Sequence, residues 1–600
     1  MEAPRRTRFR RRAWLFAFLL LGVIRFVTIA PDAWHWDEVL LTDAVARGID
    51  LREHRPHPPG YPLLVEAAAS LHRSAGIEPF RSLAIVGTVG GLMAPAALAA
   101  FLAAAGLEAD FACLGGVLYA FIPSVWLFGV RGFSDAPAAA AIFAACALFL
   151  AGVRSPDGRI TALGIVLTAL AGGFRPQGAI ALLPLGLVSI VACLRRDPRS
   201  WRWLLSGLAA GAVLSAAVWV PAVSGSGGIR SFLGQIAIQT ADTRRNVLKT
   251  PAGLLEPAVR RRWLVDPFGW DPLFWAYALL AGLAAVRRPR FVFLALAVVA
   301  PWALLNVPAS ALFAAPRYAT LLLGALSGLA ACGLEVFSRR SRWGSAAAAA
   351  VLAGSCAAAA VRPVVEVATR KSPPVAAIEA AGSGSYARGL IAHDPELRMH
   401  VSRLLPSRER SEIADSRAVV SEAGDVVLLA DRLVPGLAEE KRFSFSAPLL
   451  ARVSQGVLLS VQMGIARAAL PVGSRPSAPD AEVIRYDADI PISIDRPGDG
   501  EAVGRELVVA GWCQLRGGGA VAPVEFRIDG TLVQPGRLDR TPRPDVASAI
   551  PGIGDASRAG YEARLDVSGL SPGAHVVRVT FRAFDGRRRI SHGVPFTSAR

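Results

Sequence analysis

Long apolar runs follow one another from Ala13 to about Val361, and they constrain the fold more than any other feature of the chain. A run of about 20 apolar residues has the length that crosses the ~30 Å hydrocarbon core of a bilayer. The hydrophobic fraction of 53% is also too high for a soluble protein. Residues 1–361 therefore predict a polytopic α-helical membrane domain with about eleven transmembrane helices.

Arginine clusters in the short loops between these runs predict which side each loop faces. They lie at residues 5–12, 154–159, 195–199, 287–290 and 339–342. The positive-inside rule places all five in the cytoplasm, provided that residues 61–72 form a helix in the interface and do not cross. We expect a multi-pass protein of a bacterial inner (plasma) membrane, with a cytoplasmic N terminus and extracytoplasmic C-terminal domains. Topology accounts for most of the net charge of +18, so no nucleic acid partner is expected.

Arg25 is an ionisable residue inside the first apolar run. Such a residue indicates a functional role by default. It also lies close enough to the end of the run for its side chain to reach the interface. The sequence leaves both interpretations open.

An acidic pair and a proline-rich turn lie in the first predicted outer loop. The pair is Asp37-Glu38 within WDE at 36–38, and the turn is HPPGYP at 57–62. A lone Asp-Glu pair is more often solvated than catalytic, and such a turn on its own fixes only the entry into the next helix. The position directly after the first span favours a functional site.

Further polar residues gather on the same predicted face. They are Arg55, His57, Arg131, Asp135, Arg175, Arg317 and Tyr318. Arginine suits phosphate because its planar fork can hold two oxygens, and a carboxylate can take a proton from an attacking hydroxyl. Beside apolar helices, this set suits a lipid phosphate whose tail lies in the membrane.

The order of these motifs resembles the GT-C glycosyltransferases, in particular the branch of the dolichyl-phosphate-mannose protein mannosyltransferases and aminoarabinose transferases. The resemblance rests on the acidic pair, on HPPGYP, on RPQ at 175–177 and on PRY at 316–318. It covers roughly residues 14–361.

The resemblance implies inverting transfer of a sugar from a polyprenyl-phosphate donor to a glycan, lipid or protein acceptor on the extracytoplasmic side. Asp37 would be the general base, and Glu38 would support it or help to bind a divalent metal ion, the one cofactor that the acidic pair suggests. Asp135 matches a second acidic position. The donor phosphate would be bound by residues from the set Arg55, His57, Arg131, Arg175, Arg317 and Tyr318.

Two other classes of function remain open. A transporter, flippase or ligase of lipid-linked saccharides would also bind a lipid phosphate, but a transporter is expected to show internal repeats and broken helices at the midplane. The sequence has no convincing repeat. A non-catalytic scaffold that presents the C-terminal region would leave the arginines of the outer face unexplained.

Beyond residue 361 the chain turns polar. Apolar runs at 389–393 and 425–430 resemble buried strands, so residues 362–485 predict a small extracytoplasmic α/β region. Period-two alternation at 524–528 and 577–583 predicts a β-sandwich over residues 486–600. This part resembles bacterial immunoglobulin-like modules, which implies a binding or spacer role.

Overall fold

The structure is a computed structural model. It describes residues 3–598 except 54, 156, 247–256, 310–315, 384–389, 394–396, 406–409, 413–425, 431–438, 454–458, 467–483, 486–491, 499, 515–520, 530, 544–545, 547–558, 584–587 and 591–593. The chain divides into two compact units. Unit 1 comprises Met1–Ser372 and Phe445–Leu459, and unit 2 comprises Pro373–Ser444 and Ser460–Arg600. The predicted division at residues 361 and 485 stays a prediction.

Unit 1 is built from helices. They are α1 (Ala3–Val27), α2 (Trp36–Arg47), α3 (Pro62–Ala75), α4 (Pro79–Ala105), α5 (Ala109–Phe121), α6 (Pro123–Phe128), α7 (Asp135–Arg154), α8 (Gly158–Phe174), α9 (Pro176–Arg196), α10 (Trp201–Gly225), α11 (Ile229–Asn246), α12 (Pro257–Leu264), α13 (Asp271–Arg287), α14 (Pro289–Ala309), α15 (Thr320–Ser338), α16 (Arg342–Thr369) and α19 (Pro448–Val453). Short 3₁₀ turns lie at Leu51–Glu53, Pro198–Ser200, Asp266–Phe268 and Pro316–Ala319.

Six helical stretches in the described chain are long and apolar enough to cross a bilayer. They contain α4, α7, α9, α10, α15 and α16, and α5, α8 and α14 are shorter apolar helices. The fold class of a polytopic helical membrane protein with a C-terminal β region is confirmed. The number of about eleven crossings and their direction stay predictions.

The third predicted span is broken between α5 and α6. The break lies at Ile122-Pro123, where proline lacks an N–H and clashes with the preceding turn. Arg25 of α1 is completely buried beside it, and its guanidinium donates to the carbonyl oxygens of Ala120 at 2.8 Å and Val125 at 3.5 Å. The guanidinium of Arg25 therefore satisfies carbonyl groups at the break.

Glycines on α4 allow a close approach to α7 and to the loop before it. A Cβ added at Gly90 would lie 2.5 Å from the Pro137 nitrogen, and one at Gly87 would lie 1.9 Å from the Arg131 carbonyl oxygen. No real Cβ fits at either distance. The helix packing thus fixes the backbone of the loop that carries Arg131.

The first part of unit 2 is a six-stranded sheet with the helices α17 (Pro373–Gly382) and α18 (Arg398–Leu404). Its strands are β1 (Leu390–His393), β2 (Arg410–Glu412), β3 (Val426–Ala430), β4 (Glu439–Ser444), β5 (Ser460–Ala466) and β6 (Ile484–Arg485), in the order β4-β5-β3-β1-β2-β6. β1 is parallel to β2 and β3, and the other neighbours are antiparallel. The two predicted buried strands are β1 and β3, so the α/β interpretation is confirmed.

The second part of unit 2 consists of two further sheets. Its strands are β7 (Ile492–Arg496), β8 (Glu501–Val503), β9 (Glu506–Cys513), β10 (Val521–Ile528), β11 (Thr531–Val533), β12 (Pro535–Thr541), β13 (Gly560–Asp566), β14 (Gly573–Ala583), β15 (Arg588–Ile590) and β16 (Val594–Ser598). One sheet has the order β11-β10-β14-β16-β8 with β15 on β14, and the other has the order β12-β13-β9-β7. Val509 and Phe526, from different sheets, share one apolar core, which makes the pair a β-sandwich. Its resemblance to immunoglobulin-like modules stays a prediction.

Candidate active site

Asp37 lies in the first turn of α2, and the start of this helix fixes its direction. His35 caps the helix by accepting a hydrogen bond at Nδ1 from the backbone N–H of Asp37, with 3.0 Å between the nitrogens. Its own backbone N–H donates to Oε2 of Glu38 at 3.2 Å. This reciprocal capping box satisfies two N–H groups that a helix start leaves free. The two acids are therefore held by local backbone geometry.

The Asp37 carboxylate faces three basic side chains. Arg317 Nη2 lies 2.5 Å from Oδ2, while the Nδ1 atoms of His35 and His57 lie 3.6 Å from Oδ2 and Oδ1. Burial by itself raises the pKa of Asp37, but the Arg317 guanidinium beside the carboxylate outweighs burial and holds the pKa well below its usual range. Asp37 is thus an ionised carboxylate that is 12% exposed.

Glu38 is completely buried, and its partner is Arg131. The guanidinium donates from Nε to Oε1 at 2.9 Å and from Nη2 to Oε2 at 2.5 Å. Backbone N–H groups of Gly132, Trp34 and His35 add contacts of 3.2–3.3 Å. The Trp34 ring lies 4.5 Å from the guanidinium carbon of Arg131. Both oxygens of Glu38 are thus occupied, and the pair braces α2 against the loop before α7.

Arg317 lies between Asp37 and two aromatic rings. Its Nη2 also donates to the Tyr318 hydroxyl at 2.7 Å, and its guanidinium carbon lies 4.6 Å from the Phe133 ring and 4.7 Å from the Tyr318 ring. Trp302 of α14 donates from Nε1 to the Tyr318 carbonyl at 3.1 Å. These contacts hold a buried cation directly beside the carboxylate.

Arg175 connects α8 to α9 and forms a second buried cation. Its Nε donates to Ser134 Oγ at 3.1 Å, and its Nη2 lies 3.0 Å from Asp135 Oδ1. The contact with Asp135 is not aligned as a hydrogen bond, so we describe it as an ion pair, whose attraction depends on distance. Three rings surround the guanidinium at 4.8–5.9 Å, those of Tyr318, Tyr61 and Trp302.

The proline-rich turn delivers His57 to Asp37. Gly60 has a φ of 100° and Tyr61 a φ of 48°, so the chain turns through the left-handed region before α3 begins. The Tyr61 hydroxyl lies 3.4 Å from His57 Nε2. Burial lowers the pKa of His57 although Asp37 opposes this. The turn thus places the His57 ring beside both Asp37 and Tyr61.

Arg55 does not join these residues. It pairs with Glu53 at 2.9 Å and lies 3.7 Å from Asp50, both in the same stretch of chain. The structure thus brings together six of the predicted site residues, which we call the Asp37 cluster: Asp37, His57, Asp135, Arg175, Arg317 and Tyr318. It places Glu38 with Arg131 next to the cluster and Arg55 apart from it.

Sequence reasoning gave no role to three residues that contact the cluster. Tyr61 stands inside HPPGYP, so its place in the motif was a usable signal. Phe133 and Trp302 lie in or beside apolar runs, where an aromatic residue is ordinarily a core residue or a membrane anchor. Nothing in the sequence separates them from such residues.

The acidic pair does not fit a divalent cation. Each carboxylate faces a guanidinium at 2.5 Å, and that charge would repel a cation bound there. Within the described part of the chain, no three His, Cys, Asp or Glu side chains come together as metal ligands.

Several buried polar atoms of the cluster have no hydrogen-bond partner. They are Nε of Arg317, Nδ1 of His57, both carboxylate oxygens of Asp135 and, next to Arg175, Oε1 of Gln177. Buried polar groups are nearly always hydrogen-bonded. They include the Arg317 N–H, a donor suited to an anion, and the oxygens of Asp135 and Gln177, which can accept from hydroxyl groups.

No protein-family model matches the sequence, and no curated protein has a significant match to it. Among solved structures, the chain is similar to the archaeal oligosaccharyltransferase AglB from Archaeoglobus fulgidus in complex with an inhibitory peptide and a dolichol-phosphate, with 12% identity, a TM-score of 0.40 and 70% of each chain covered.

A second similar protein is ArnT from Cupriavidus metallidurans. Its apo structure has 14% identity and a TM-score of 0.45 over 76% of this chain and 98% of that chain. Its structure bound to undecaprenyl phosphate has 14% identity and a TM-score of 0.42 over 75% and 97%. AglB and ArnT are GT-C glycosyltransferases, the class that the motifs resemble. The similarity is distant, so a function for this chain has to come from its own side chains.

Proposed function

We propose that the chain is an integral-membrane glycosyltransferase that moves a sugar from a polyprenyl-phosphate donor to an acceptor hydroxyl outside the cytoplasm. The observation that carries the proposal is the contact between Asp37 and Arg317. A buried carboxylate is kept ionised beside a guanidinium that still has an unused N–H. Transfer needs a base that takes the proton of the acceptor and a cation that supports the phosphate leaving group, and these two side chains are of those types.

The reaction is a single displacement. The acceptor hydroxyl gives its proton to Asp37, its oxygen forms a bond to the anomeric carbon, and the bond from that carbon to the phosphate oxygen breaks. The electron pair leaves with the polyprenyl phosphate, and the configuration at the anomeric carbon inverts. Arg317 and Arg175 stabilise the growing charge on the phosphate. The acceptor is a glycan, a lipid or a protein.

Orientation in the membrane follows from the proposal and from the arginine clusters. The Asp37 cluster would lie on the extracytoplasmic side of a bacterial inner membrane, the N terminus in the cytoplasm and unit 2 outside. The polyprenyl tail would remain in the bilayer while its phosphate reaches the cluster. No metal ion is part of this mechanism.

One observation favours the alternative function as a transporter or flippase. The span formed by α5 and α6 is broken, and transporters use broken helices to coordinate their cargo. Here Arg25 already takes two of the carbonyl groups beside the break. These groups are therefore not free to hold a substrate, and transfer remains the better supported function.

The test uses the full chain in proteoliposomes with radiolabelled undecaprenyl-phosphate hexoses and pentoses and a membrane extract as the source of acceptor. We expect transfer by the wild type and at least about a 100-fold loss in Asp37→Asn, the size of a general-base contribution. Asp43→Asn is the matched control, because Asp43 lies on the same helix and pairs with Arg47 at the surface. Undiminished transfer by Asp37→Asn would remove the proposed base.

Binding of undecaprenyl phosphate tests the phosphate site separately. Arg317→Gln and Arg175→Gln are expected to weaken binding at least about 10-fold, because each removes a charge-assisted contact. Arg47→Gln removes an exposed arginine and controls for general loss of positive charge. Wild-type affinity in both buried-arginine variants would contradict the assignment of the phosphate site.

A further inference from the structure

A segment from late in the chain packs against the loop that precedes Asp37. Phe445–Leu459, here called the return segment, belongs to unit 1 although most of the chain after Ser372 belongs to unit 2. It connects β4 to β5, whose end residues Ser444 and Ser460 are register partners. A pair of adjacent strands thus sends out a long loop where a tight turn would suffice. The structure describes residues 445–453 and 459 of this segment.

Polar contacts fasten the return segment to the helices of unit 1. Glu366 of α16 accepts hydrogen bonds from the backbone N–H groups of Ser446 at 2.7 Å and Ala447 at 2.8 Å, and from Ser446 Oγ at 3.1 Å. Arg452 donates from Nη1 to Asp271 Oδ1 at 3.0 Å. The segment is therefore held at both ends of α19.

Apolar contacts place the segment against Trp34, in the loop before α2. Leu449 and Leu450 are 5% and 0% exposed and share one apolar cluster with Trp34 and Phe133. The Phe445 ring lies 5.9 Å from the Trp34 ring, at an angle of 50°. The segment thus contacts the Trp34 ring, which lies against Arg131, and belongs to the same apolar cluster as Phe133.

From Trp34 the contacts continue to the acid. The Trp34 ring lies against the Arg131 guanidinium, and Arg131 holds Glu38 by two hydrogen bonds. Glu38 directly follows Asp37 on α2. Phe133, in the same cluster, lies against Arg317. Both partners of the central ion pair are therefore linked to rings that belong to the same apolar cluster as the return segment.

We propose that the return segment is a positioning element for Asp37 and Arg317, with Phe445 and Glu366 as positioning residues for the transfer reaction. The proposal rests on the proposed function. The segment acts through its contact with Trp34 and through the apolar cluster that it shares with Phe133. Loss of this support lets the acid and the cation move relative to each other, and displacement by about 1 Å is enough to slow a reaction about 100-fold.

The kinetic test separates positioning from folding. Phe445→Ala is expected to lower kcat for sugar transfer about 10-fold or more while KM for the polyprenyl-phosphate donor stays within about twofold, and Phe445→Tyr is expected to restore kcat because it keeps the ring. Glu366→Gln, which loses one acceptor, should act in the same direction. Leu352→Ala is the control, because Leu352 is a buried residue of α16 in another apolar cluster. Wild-type kcat in Phe445→Ala would overturn the proposal, and so would a loss that merely tracks the folded fraction as in Leu352→Ala.

A second variant and a second measurement keep the result independent of the proposed function. Replacing residues 445–459 by Asn-Gly joins Ser444 to Ser460 by a two-residue hairpin turn and removes the whole segment. Amide hydrogen exchange of residues 34–39 is expected to become faster in this variant and in Phe445→Ala. Unchanged exchange overturns the proposal whether or not the chain transfers sugar. A wild type that transfers no sugar, with exchange that accelerates in the variants, refutes the proposed function and leaves the positioning role intact.

Discussion

Arg317 donates from Nη2 to Oδ2 of Asp37 at 2.5 Å across 280 residues of sequence. The contact joins an early and a late part of the helices of unit 1, because Asp37 lies on α2 and Arg317 lies directly before α15. It also decides the protonation of the acid. Burial alone would favour the neutral form of Asp37, and the guanidinium reverses that preference.

Replacement of Arg317 should change the pH dependence of transfer. In the wild type the pKa of Asp37 lies below its usual range, so the carboxylate stays ionised as the pH falls through the ordinary range of carboxyl groups. In Arg317→Gln, burial still disfavours the charged carboxylate but the nearby guanidinium charge is gone, so the pKa of Asp37 rises. The acid limb of the kcat/KM profile should therefore move to higher pH. Arg317→Lys keeps the charge and should keep the limb near its wild-type position. An unshifted limb in Arg317→Gln would show that Arg317 does not set the pKa of Asp37.

The pair between Glu38 and Arg131 should behave as one structural unit. Both side chains are at most 1% exposed, so Glu38→Gln or Arg131→Met leaves a buried charge without its partner. Such a loss costs about 3–5 kcal/mol, which we expect as a lower thermal unfolding temperature and a smaller folded fraction in detergent. The double variant Glu38→Leu/Arg131→Met should lose less than the sum of Glu38→Leu and Arg131→Met measured singly. Strictly additive losses would mean that the two residues do not stabilise the fold as a pair.

The contrast between Asp37 and Glu38 shows how far the sequence could predict the site. Its motifs predicted the loop, the order of the helices and the gathering of Arg175 and Arg317, because these follow from apolar runs and from charge. From the sequence, Asp37 and Glu38 were predicted to act together as a functional pair. Successive positions on an α-helix point about 100° apart, and so Glu38 meets Arg131 while Asp37 meets Arg317. Which arginine meets which acid depends on helix packing that no local pattern encodes.

Close packing of backbones is a second feature that the sequence does not predict. Gly87 and Gly90 stand in an apolar run with other small residues, where a glycine more often indicates only a good helix–helix contact in the membrane. Their spacing does not say that the carbonyl of Arg131 lies opposite Gly87. Likewise, the return segment is separated from Trp34 by most of the chain. Its apolar residues are compatible with any buried helix of unit 2.

Stability of the β-sandwich should depend on pH through His575. Its Nδ1 lies 2.5 Å from Asp529 Oδ2 and its Nε2 lies 2.7 Å from the Ser571 carbonyl. The hydrogen bond with Asp529 and that with Ser571 raise the pKa of His575. A raised pKa stabilises the fold fully below the pKa of about 6.5 of an unfolded histidine, and the effect is lost as the pH rises through the folded value.

Amide exchange of residues 573–583, corrected for intrinsic rates, measures this effect in the full chain. The free energy of local opening is expected to fall in the wild type as the pH rises above the ordinary pKa of histidine, and to fall less in Asp529→Asn, where only the hydrogen bond to Ser571 remains. Asp495→Asn, at a surface acid of the other sheet, serves as the control and should keep the wild-type slope. If the free energy of opening does not change with pH in the wild type, or changes equally in Asp529→Asn, the pair of His575 and Asp529 is not the cause of the pH dependence.

Gly87→Ala should damage the site through the backbone of the loop before α7. The added Cβ would lie 1.9 Å from the carbonyl oxygen of Arg131, so either α4 or the loop has to move, and a move of the loop displaces the brace on Glu38. We expect a lower unfolding temperature together with slower transfer, because forcing extra atoms into a packed core costs about 1–3 kcal/mol. Gly282→Ala is the matched control. This glycine of α13 is exposed with nothing within 4 Å of the added Cβ, and alanine favours a helix by about 1 kcal/mol over glycine. If Gly87→Ala, like Gly282→Ala, loses neither stability nor transfer, the contact between Gly87 and the Arg131 carbonyl does not fix the loop.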